Sequence, residues 1–224
     1  MNLTLIEAPL TSNNDSPETF RRAEPVLVTD LQTHSRLPSN LVPPAADPAY
    51  LEQLIAAARE LFEAETHLQL LTATWELRLD NFPLSGGPVY LPIAPAQELL
   101  SVKYLDTDGA EQTLYDSTVS PAIDEGVLEV DLKSPARPEA GQIYLAYNQS
   151  WPSPRSEKNA VRIRFKAGFG ASPADVPNGI KQWILIQAAT MHENREAEFT
   201  GSIRASFEFV PALLDRWRWR RPVF

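Results

Sequence analysis

Two stretches of the chain repeat their apolar residues at helical spacing. In the first stretch, the apolar side chains follow Leu51 at offsets of 3, 4, 7, 10 and 11, and they are Leu51, Leu54, Ile55, Ala58, Leu61 and Phe62. Polar residues, among them Arg59, take the other face. Asp and Pro are favoured at the N-cap and the first helical position, and Asp47 and Pro48 occupy these places. We therefore predict a helix over about 48–66.

The second helical pattern lies near the other end of the chain. Its stripe follows Ile180 at offsets of 3, 4, 7, 8 and 11, and the residues are Ile180, Trp183, Ile184, Gln187, Ala188 and Met191. Pro177 marks its first turn, and we expect it to reach about Arg195. A short third helix is predicted from Pro211 to about Trp217.

Between these helices the apolar period changes to two, which indicates strands. Polar and apolar residues alternate from Leu70 to Asp80. Shorter strands are predicted at Val89–Leu91, Leu99–Leu105, Thr113–Tyr115, Val127–Leu132, Ile143–Tyr147 and Val161–Phe165. Asp106-Thr-Asp-Gly109 is typical of a hairpin turn.

The order of elements predicts an α+β fold in which a small helical core carries an antiparallel β domain inserted between its helices. We assign 47–69 and 171–217 to the helical core, 70–170 to the β insertion and 218–224 to an extended C-terminal tail. Residues 1–46 are expected to form a loop-rich arm, because four prolines fall within 38–48, and within this arm Pro25–Leu31 could form one turn of helix or an extended stretch. The core is expected to include Leu54, Leu61, Trp183, Ile184 and Met191.

Composition excludes several classes of protein. The 224 residues include no Cys, so disulfides, Cys-based zinc sites and thiol nucleophiles are excluded, and assembly in a reducing cytoplasm fits. No run of 18 apolar residues predicts a membrane span, and the first residues lack the pattern of a secretory signal. The net charge of −9 disfavours a general nucleic-acid coat.

The charge is unevenly distributed along the chain. Residues 204–224 carry five Arg and two acidic residues, +3 in total, so the other residues carry −12. The last nine residues include Arg216, Trp217, Arg218, Trp219, Arg220, Arg221 and Phe224. Arg and Trp are enriched at interface hot spots, which favours a docking peptide. Two alternatives are that the Trp side chains cap the core, or that Trp217 and Trp219 stack on single-stranded nucleic acid.

Candidate catalytic and metal sites are weak. Glu63 and His67, and likewise His192 and Glu196, share helical i, i+4 spacing, but a metal site needs three or four converging ligands and the chain has only three His. Asp106-x-Asp108-Gly109 is similar to the start of a calcium loop, yet Ser117 stands where that loop has Glu. No nucleophile elbow or Walker loop is present, and we expect no enzymatic activity, cofactor or metal.

An ordered set of motifs resembles the head–tail connector (adaptor) proteins of long-tailed bacteriophages. The set is Trp75-Glu-Leu-Arg-Leu-Asp-Asn-Phe-Pro83, Leu91-Pro92, Leu100-Ser-Val-Lys-Tyr-Leu-Asp-Thr-Asp-Gly109, Trp151-Pro152, Val161-Arg-Ile-Arg-Phe-Lys-Ala-Gly-Phe-Gly170, Val176-Pro177 and Met191-His-Glu-Asn-Arg-Glu196. The similarity covers about residues 24–221. The proline-rich stretch 38–48 is longer than the usual loop of the family.

The resemblance implies a structural virion protein that acts at the head–tail interface and is assembled in the host cytoplasm. Such proteins form a ring, usually of twelve copies, beneath the portal protein, and the ring extends the DNA channel to the next neck or tail-completion protein. The helices would build the core of each subunit and the subunit contacts, and the β insertion would lie on the outer side or rim of the ring. The C-terminal tail would reach the portal. The residues expected in the helical core or in the subunit contacts are Leu54, Leu61, Trp183, Ile184 and Met191. DNA would pass without sequence-specific binding.

Two other classes of function stay open on the sequence. One is a protein-binding β module unrelated to phage. The other is a hydrolase that binds a polymer on its β region and would need a convergent acidic cleft.

Overall fold

The computed structural model describes residues 2–7, 10–11, 21–36, 47–84, 86–119, 127–132, 139–194 and 209–218. The helices are α1 (Val28–His34), α2 (Pro48–Thr66), α3 (Asn178–Glu193) and α4 (Phe209–Asp215), with a 3-10 turn at Pro173–Asp175. The strands are β1 (Asn2–Glu7), β2 (Leu10–Thr11), β3 (Arg21–Arg22), β4 (Ala73–Leu79), β5 (Val89–Tyr90), β6 (Ala96–Leu105), β7 (Glu111–Asp116), β8 (Leu128–Asp131), β9 (Gln142–Leu145) and β10 (Val161–Ala167). The predicted α+β class is confirmed.

Helix α2 has the bounds that the sequence predicts. The Asp47 carboxylate accepts a hydrogen bond from the Ala49 N–H at 3.0 Å, and Pro48 opens the first turn. At the other end His67 adopts a left-handed conformation with φ +58°, and its N–H donates to the Glu63 carbonyl at 2.9 Å. Local capping therefore sets both ends of α2.

The other two predicted helices differ slightly from expectation. Helix α3 begins after Pro177 and ends at Glu193, two residues before the predicted end. Helix α4 begins at Phe209, so the prediction that Pro211 starts it is wrong. Pro211 is accommodated because N–H groups in a first helical turn have no partner within the helix.

The helical core forms where α2 and α3 pack on each other. The buried stripe of α2 (Leu51, Ile55, Ala58 and Phe62) contacts the buried stripe of α3 (Ile180, Trp183, Ile184 and Ala188). Phe62 and Trp183 meet edge to face, with 5.4 Å between ring centroids. Two helices that are distant in sequence thus bury their apolar faces together, as predicted.

Parts of the predicted N-terminal arm are regular structure, so the expectation of a loop-rich segment over 1–46 is wrong for them. Strand β1 pairs antiparallel with β4 through Leu3 opposite Leu77 and Leu5 opposite Trp75. Helix α1 buries Leu31 completely in the helical core. Each element is too short for a clear periodic signal, and each is stabilised by contacts with distant residues. The proline-rich segment 37–46 lies outside the described residues.

The β domain consists of two antiparallel sheets that share one hydrophobic core. The five-stranded sheet has the order β1-β4-β10-β6-β7, and the three-stranded sheet has the order β5-β9-β8. On the inner face of the larger sheet, Leu77, Ile163 and Val102 lie side by side across three strands. These residues pack with Val89 and Ile143 of the smaller sheet.

The outer face of the five-stranded sheet carries charged residues in register. One row places Arg78 opposite Arg162, and Arg162 opposite Lys103. The next row contains Glu76, Arg164 and Ser101, and the third contains Thr74, Lys166 and Glu98. Successive residues of a strand point to opposite faces, and the register shift of β6 between Ser101 and Leu99 returns Glu98 to the face of Ser101. All of these side chains therefore share one side of the sheet.

The two cores meet at the loop that joins α2 to β4. Leu68, Leu70 and Leu71 are buried in the helical core, which explains why β4 begins at Ala73 rather than at the predicted Leu70. Gly168 adopts φ +145°, and a Cβ atom there would lie 2.6 Å from the Thr72 nitrogen. Only glycine fits this close approach of two backbones.

Candidate interaction surfaces

The C-terminal segment is anchored to the helical core at Trp217. Trp217 is 6% exposed, and its ring meets Phe169 edge to face at 5.8 Å between centroids. The Arg216 guanidinium lies 5.3 Å from the centroid of the Trp217 ring. Arg218 is exposed and pairs with Asp215 at 3.0 Å and with Glu65 at 3.6 Å. Trp217 thus takes the core-capping role that the sequence left as an alternative.

The remaining predicted docking residues are Trp219, Arg220, Arg221 and Phe224, and they lie outside the described residues. An open groove of about 410 Å³ lies beside Arg216 and Trp217. The groove is lined by Pro177, Asn178, Gly179, Ala212, Leu213, Arg216 and Trp217.

The residues predicted for the helical core fall into three classes. Trp183 and Ile184 are buried, and Leu54 and Met191 are half-buried against the same core. Leu61 is 44% exposed, so its assignment to the core is wrong. Consecutive helical residues are about 100° apart, so when Phe62 faces the core centre its neighbour Leu61 lies on the flank. Leu61 instead forms part of the outer surface of α2.

A buried arginine joins segments that are distant in sequence. Arg59, placed on the polar face by the sequence pattern, is only 3% exposed. Its Nε donates to Glu24 at 2.8 Å and its Nη1 donates to Glu63 at 2.9 Å, while Glu60 accepts from Nη2 at 3.2 Å. Glu63 also accepts from the Gln69 side chain at 3.0 Å. Burial lowers the pKa of Arg59, but the hydrogen bonds and charges of Glu24 and Glu63 outweigh it and hold the pKa above its ordinary value.

The β domain also contains a buried charged side chain, the carboxylate of Glu76. The Glu76 side chain is 2% exposed and accepts from Arg78 Nε at 2.6 Å and from Arg164 Nε at 2.7 Å. Burial raises the pKa of Glu76, but the two arginine hydrogen bonds outweigh it and hold the pKa below its usual range. Glu76 therefore remains ionised and holds two guanidinium groups side by side.

The weak metal candidates have other roles in the structure. The backbone of His67 forms the C-cap of α2, and the ring of His192 lies 6.1 Å from that of Tyr50. Asp106 accepts from the Asp108 and Ala110 N–H groups at 3.0 and 2.8 Å, so the hairpin prediction is confirmed. The Gln112 amide, followed by these backbone bonds, lowers the pKa of Asp106. Glu196 lies outside the described residues.

The described residues also bear on the questions of a metal site and of a membrane span. Over these residues no three His, Cys, Asp or Glu side chains converge in a way that could hold a metal ion. Within the same part of the chain, no helix has the length and apolar character needed to cross a bilayer.

Comparison with known proteins gives matches at the level of structure. No protein-family model matches the sequence, and no curated protein sequence matches it. A chain of the "Virion of native gene transfer agent (GTA) particle" is 24% identical with a TM-score of 0.71. Chains of the "Neck of empty GTA particle computed with C6 symmetry" and the "Neck of native GTA particle computed with C12 symmetry" are 25% and 23% identical, with TM-scores of 0.70 and 0.67. Each match covers 100% of this chain and 98% of the other, so the whole fold is shared.

Proposed function

We propose that this protein is a structural component of the neck of a phage-like particle. The observation that carries the proposal is the full-length similarity to neck chains, which includes one chain at 25% identity from a neck of C6 symmetry. The match extends over the helical core and the β domain together, so it concerns the complete arrangement rather than one common module.

More specifically, we propose a head–tail adaptor that forms a ring, of twelve copies, beneath the portal protein. The ring would extend the DNA channel towards a downstream neck or tail-completion protein. The motif set between Trp75 and Glu196 supports this role. The net charge of −9 supports it too, because an acidic wall repels phosphates and lets DNA slide.

The subunit contacts are proposed to include the outer surface of α2. A closed ring uses head-to-tail interfaces, in which each copy contributes two different surfaces. Leu61 is a large apolar side chain exposed on α2, with the small residues Ala57 and Ala64 exposed one turn away on either side. A neighbouring helix or sheet could cover this surface without displacing bulky side chains.

The docking peptide is proposed to begin after the residues that anchor it. Trp217 is committed to the core, so portal docking is assigned to Trp219, Arg220, Arg221 and Phe224, with the exposed Arg216 and Arg218 at the base. A root that packs on the core, followed by an Arg- and Trp-rich sequence, suits docking to a partner.

Electron microscopy of the purified protein, alone and mixed with portal protein, tests the ring. We expect rings with a central hole, at least in the presence of portal. Single particles that stay monomeric under both conditions would contradict the adaptor role and would favour a protein-binding β module.

Truncation tests the docking peptide. We expect a chain that ends at Arg218 to keep its circular dichroism spectrum and to lose portal binding. Trp217→Ala in the full chain serves as the contrast, because it should lower the thermal midpoint by removing a buried ring. Normal portal binding by the truncated chain would show that the C-terminal peptide is not the docking element.

A further inference from the structure

The outer face of the five-stranded sheet places three cationic side chains side by side. Arg78, Arg162 and Lys103 lie abreast on three neighbouring strands. Adjacent strands are about 4.8 Å apart, so the three Cα atoms fall within about 10 Å. Like charges directly opposite each other destabilise a sheet. Departures of this kind from local rules concentrate at functional sites.

Carboxylates of the same chain position this row of cations. Glu76, one row away, holds Arg78 and Arg164 through their Nε atoms at 2.6 and 2.7 Å. Glu111 pairs with Arg162 at 3.4 Å and with Lys103 at 3.7 Å. The buried Glu76 carboxylate therefore fixes two guanidinium groups in direction, as a supporting residue does in a binding site.

The ends of these two arginines are available for a ligand. Within the part of the chain that the structure describes, the terminal nitrogens of Arg78 and Arg164 make no hydrogen bond, since each arginine binds Glu76 through Nε. The two side chains are 38% and 53% exposed. A guanidinium fork presents donors that match the two oxygens of a carboxylate.

We propose that Arg78 and Arg164, with Arg162 and Lys103 beside them, bind a carboxylate of a second copy of this chain. This contact rests on the proposed ring, where each copy meets its neighbour through a different surface. The chain has 29 acidic and 20 basic residues, so any neighbouring copy presents carboxylates in excess. The arginine pair supplies a discrete complementary site.

The same face is poorly suited to nucleic acid. Its five cations (Arg78, Lys103, Arg162, Arg164 and Lys166) are interleaved with Glu76, Glu98 and Glu111. Glu98 and Glu111 are nearly half exposed. A phosphate backbone would meet these carboxylates along its length, whereas a single carboxylate can reach the arginine pair without them.

Variants of the full chain test the contact by sedimentation and by electron microscopy with portal protein. We expect Arg78→Gln with Arg164→Gln to weaken self-association about tenfold or more. In this double variant Glu76 is buried without its two arginine partners. A triple variant that also carries Glu76→Gln removes this buried charge and should show the same loss of self-association. Arg155→Gln with Lys158→Gln removes two cations elsewhere and should stay within about twofold of the parent.

The outcomes separate this contact from the proposed function. If the triple variant forms rings as readily as the parent, the carboxylate contact is overturned while the adaptor role stands. If the parent forms no ring with or without portal, both fail. DNA duplex binding that is lost in the triple variant and kept in the Arg155/Lys158 control would replace the proposal with a phosphate site.

Discussion

Among the described residues, the helical core and the β domain each bury one charged side chain, but of opposite sign and with different surroundings. In the helical core, Arg59 is enclosed by Glu24 and Glu63, which are themselves only 20% and 15% exposed. In the β domain, Glu76 is covered by two arginines that extend into solvent. The first ion group closes a gap between segments that are far apart in sequence. The second holds cations at the surface, where a partner can reach them.

The two buried charges therefore have different roles, one in stability and the other at the protein surface. A buried ion pair gains little net stability over an apolar replacement, but loss of one partner is strongly destabilising. Arg59 therefore links helix α2 to the segment before α1 through Glu24. Through Glu63, which also binds Gln69, it supports the loop that leads to β4. The two arginines that pair with Glu76 extend into solvent, so they can bind a partner while they neutralise the buried carboxylate.

Arg59→Ala is expected to have the largest effect on the free energy of unfolding. The change leaves Glu24 and Glu63 close together without their counter-charge, and we expect a loss of about 3–5 kcal/mol. Urea unfolding at neutral pH measures it. Glu60→Gln removes only the exposed member of the group and should change stability by about 0.5 kcal/mol or less; equal effects of the two would mean that burial of Arg59 is unimportant.

Gly168→Ala is expected to rank second and tests the junction between the two cores. The new Cβ atom would lie 2.6 Å from the Thr72 nitrogen, at a backbone conformation unfavourable for alanine. A loss of about 2–3 kcal/mol is expected. Gly86→Ala is the matched control, because Gly86 also has positive φ but no atom within 4 Å of its Cβ position. Similar losses in both would assign the cost to φ rather than to the close approach.

Glu76→Gln is expected to cost less, about 1–2 kcal/mol at pH 7, since Arg78 and Arg164 can turn to water. The effect should depend on pH. The folded protein depresses the pKa of Glu76, so its contribution is present above the ordinary pKa of about 4.3 and disappears as pH falls through the folded value. The difference between the parent and the variant should therefore shrink as the pH falls from about 4.3 through the lower pKa of the folded state, and a constant difference into strong acid would refute an ionic role.

Leu61→Ser is expected to have the smallest effect on the folded monomer, within about 0.5 kcal/mol, because the side chain is already exposed. Its effect should appear in ring formation instead. Phe62→Ser, one residue further on, should unfold the helical core and thereby separates packing from assembly. A large loss of stability in the Leu61 variant would place this residue back in the core.

The sequence predicted elements well where a local pattern sets them. The bounds of α2 follow from Asp47, Pro48 and a repeated apolar stripe. The alternation around Trp75 and the turn at Asp106 likewise led to β4 and to the β6–β7 hairpin. These signals lie within a few residues of the structure they produce. For this reason β1 was missed and α1 was predicted only as one turn of helix or an extended stretch, because both elements depend on distant partners.

The sequence by itself thus determined the class of fold, the order of the elements from α2 to α4 and the excess of acidic residues. Only the tertiary structure decided which charges are buried and which side chains meet. Helical periodicity placed Arg59 with the polar residues, but the segment before α1 covers it. The row formed by Arg78, Arg162 and Lys103 depends on the register of three strands, which comes from long-range pairing. Trp217 and Trp219 stand in similar local sequence, and contact with Phe169 is what makes Trp217 part of the core.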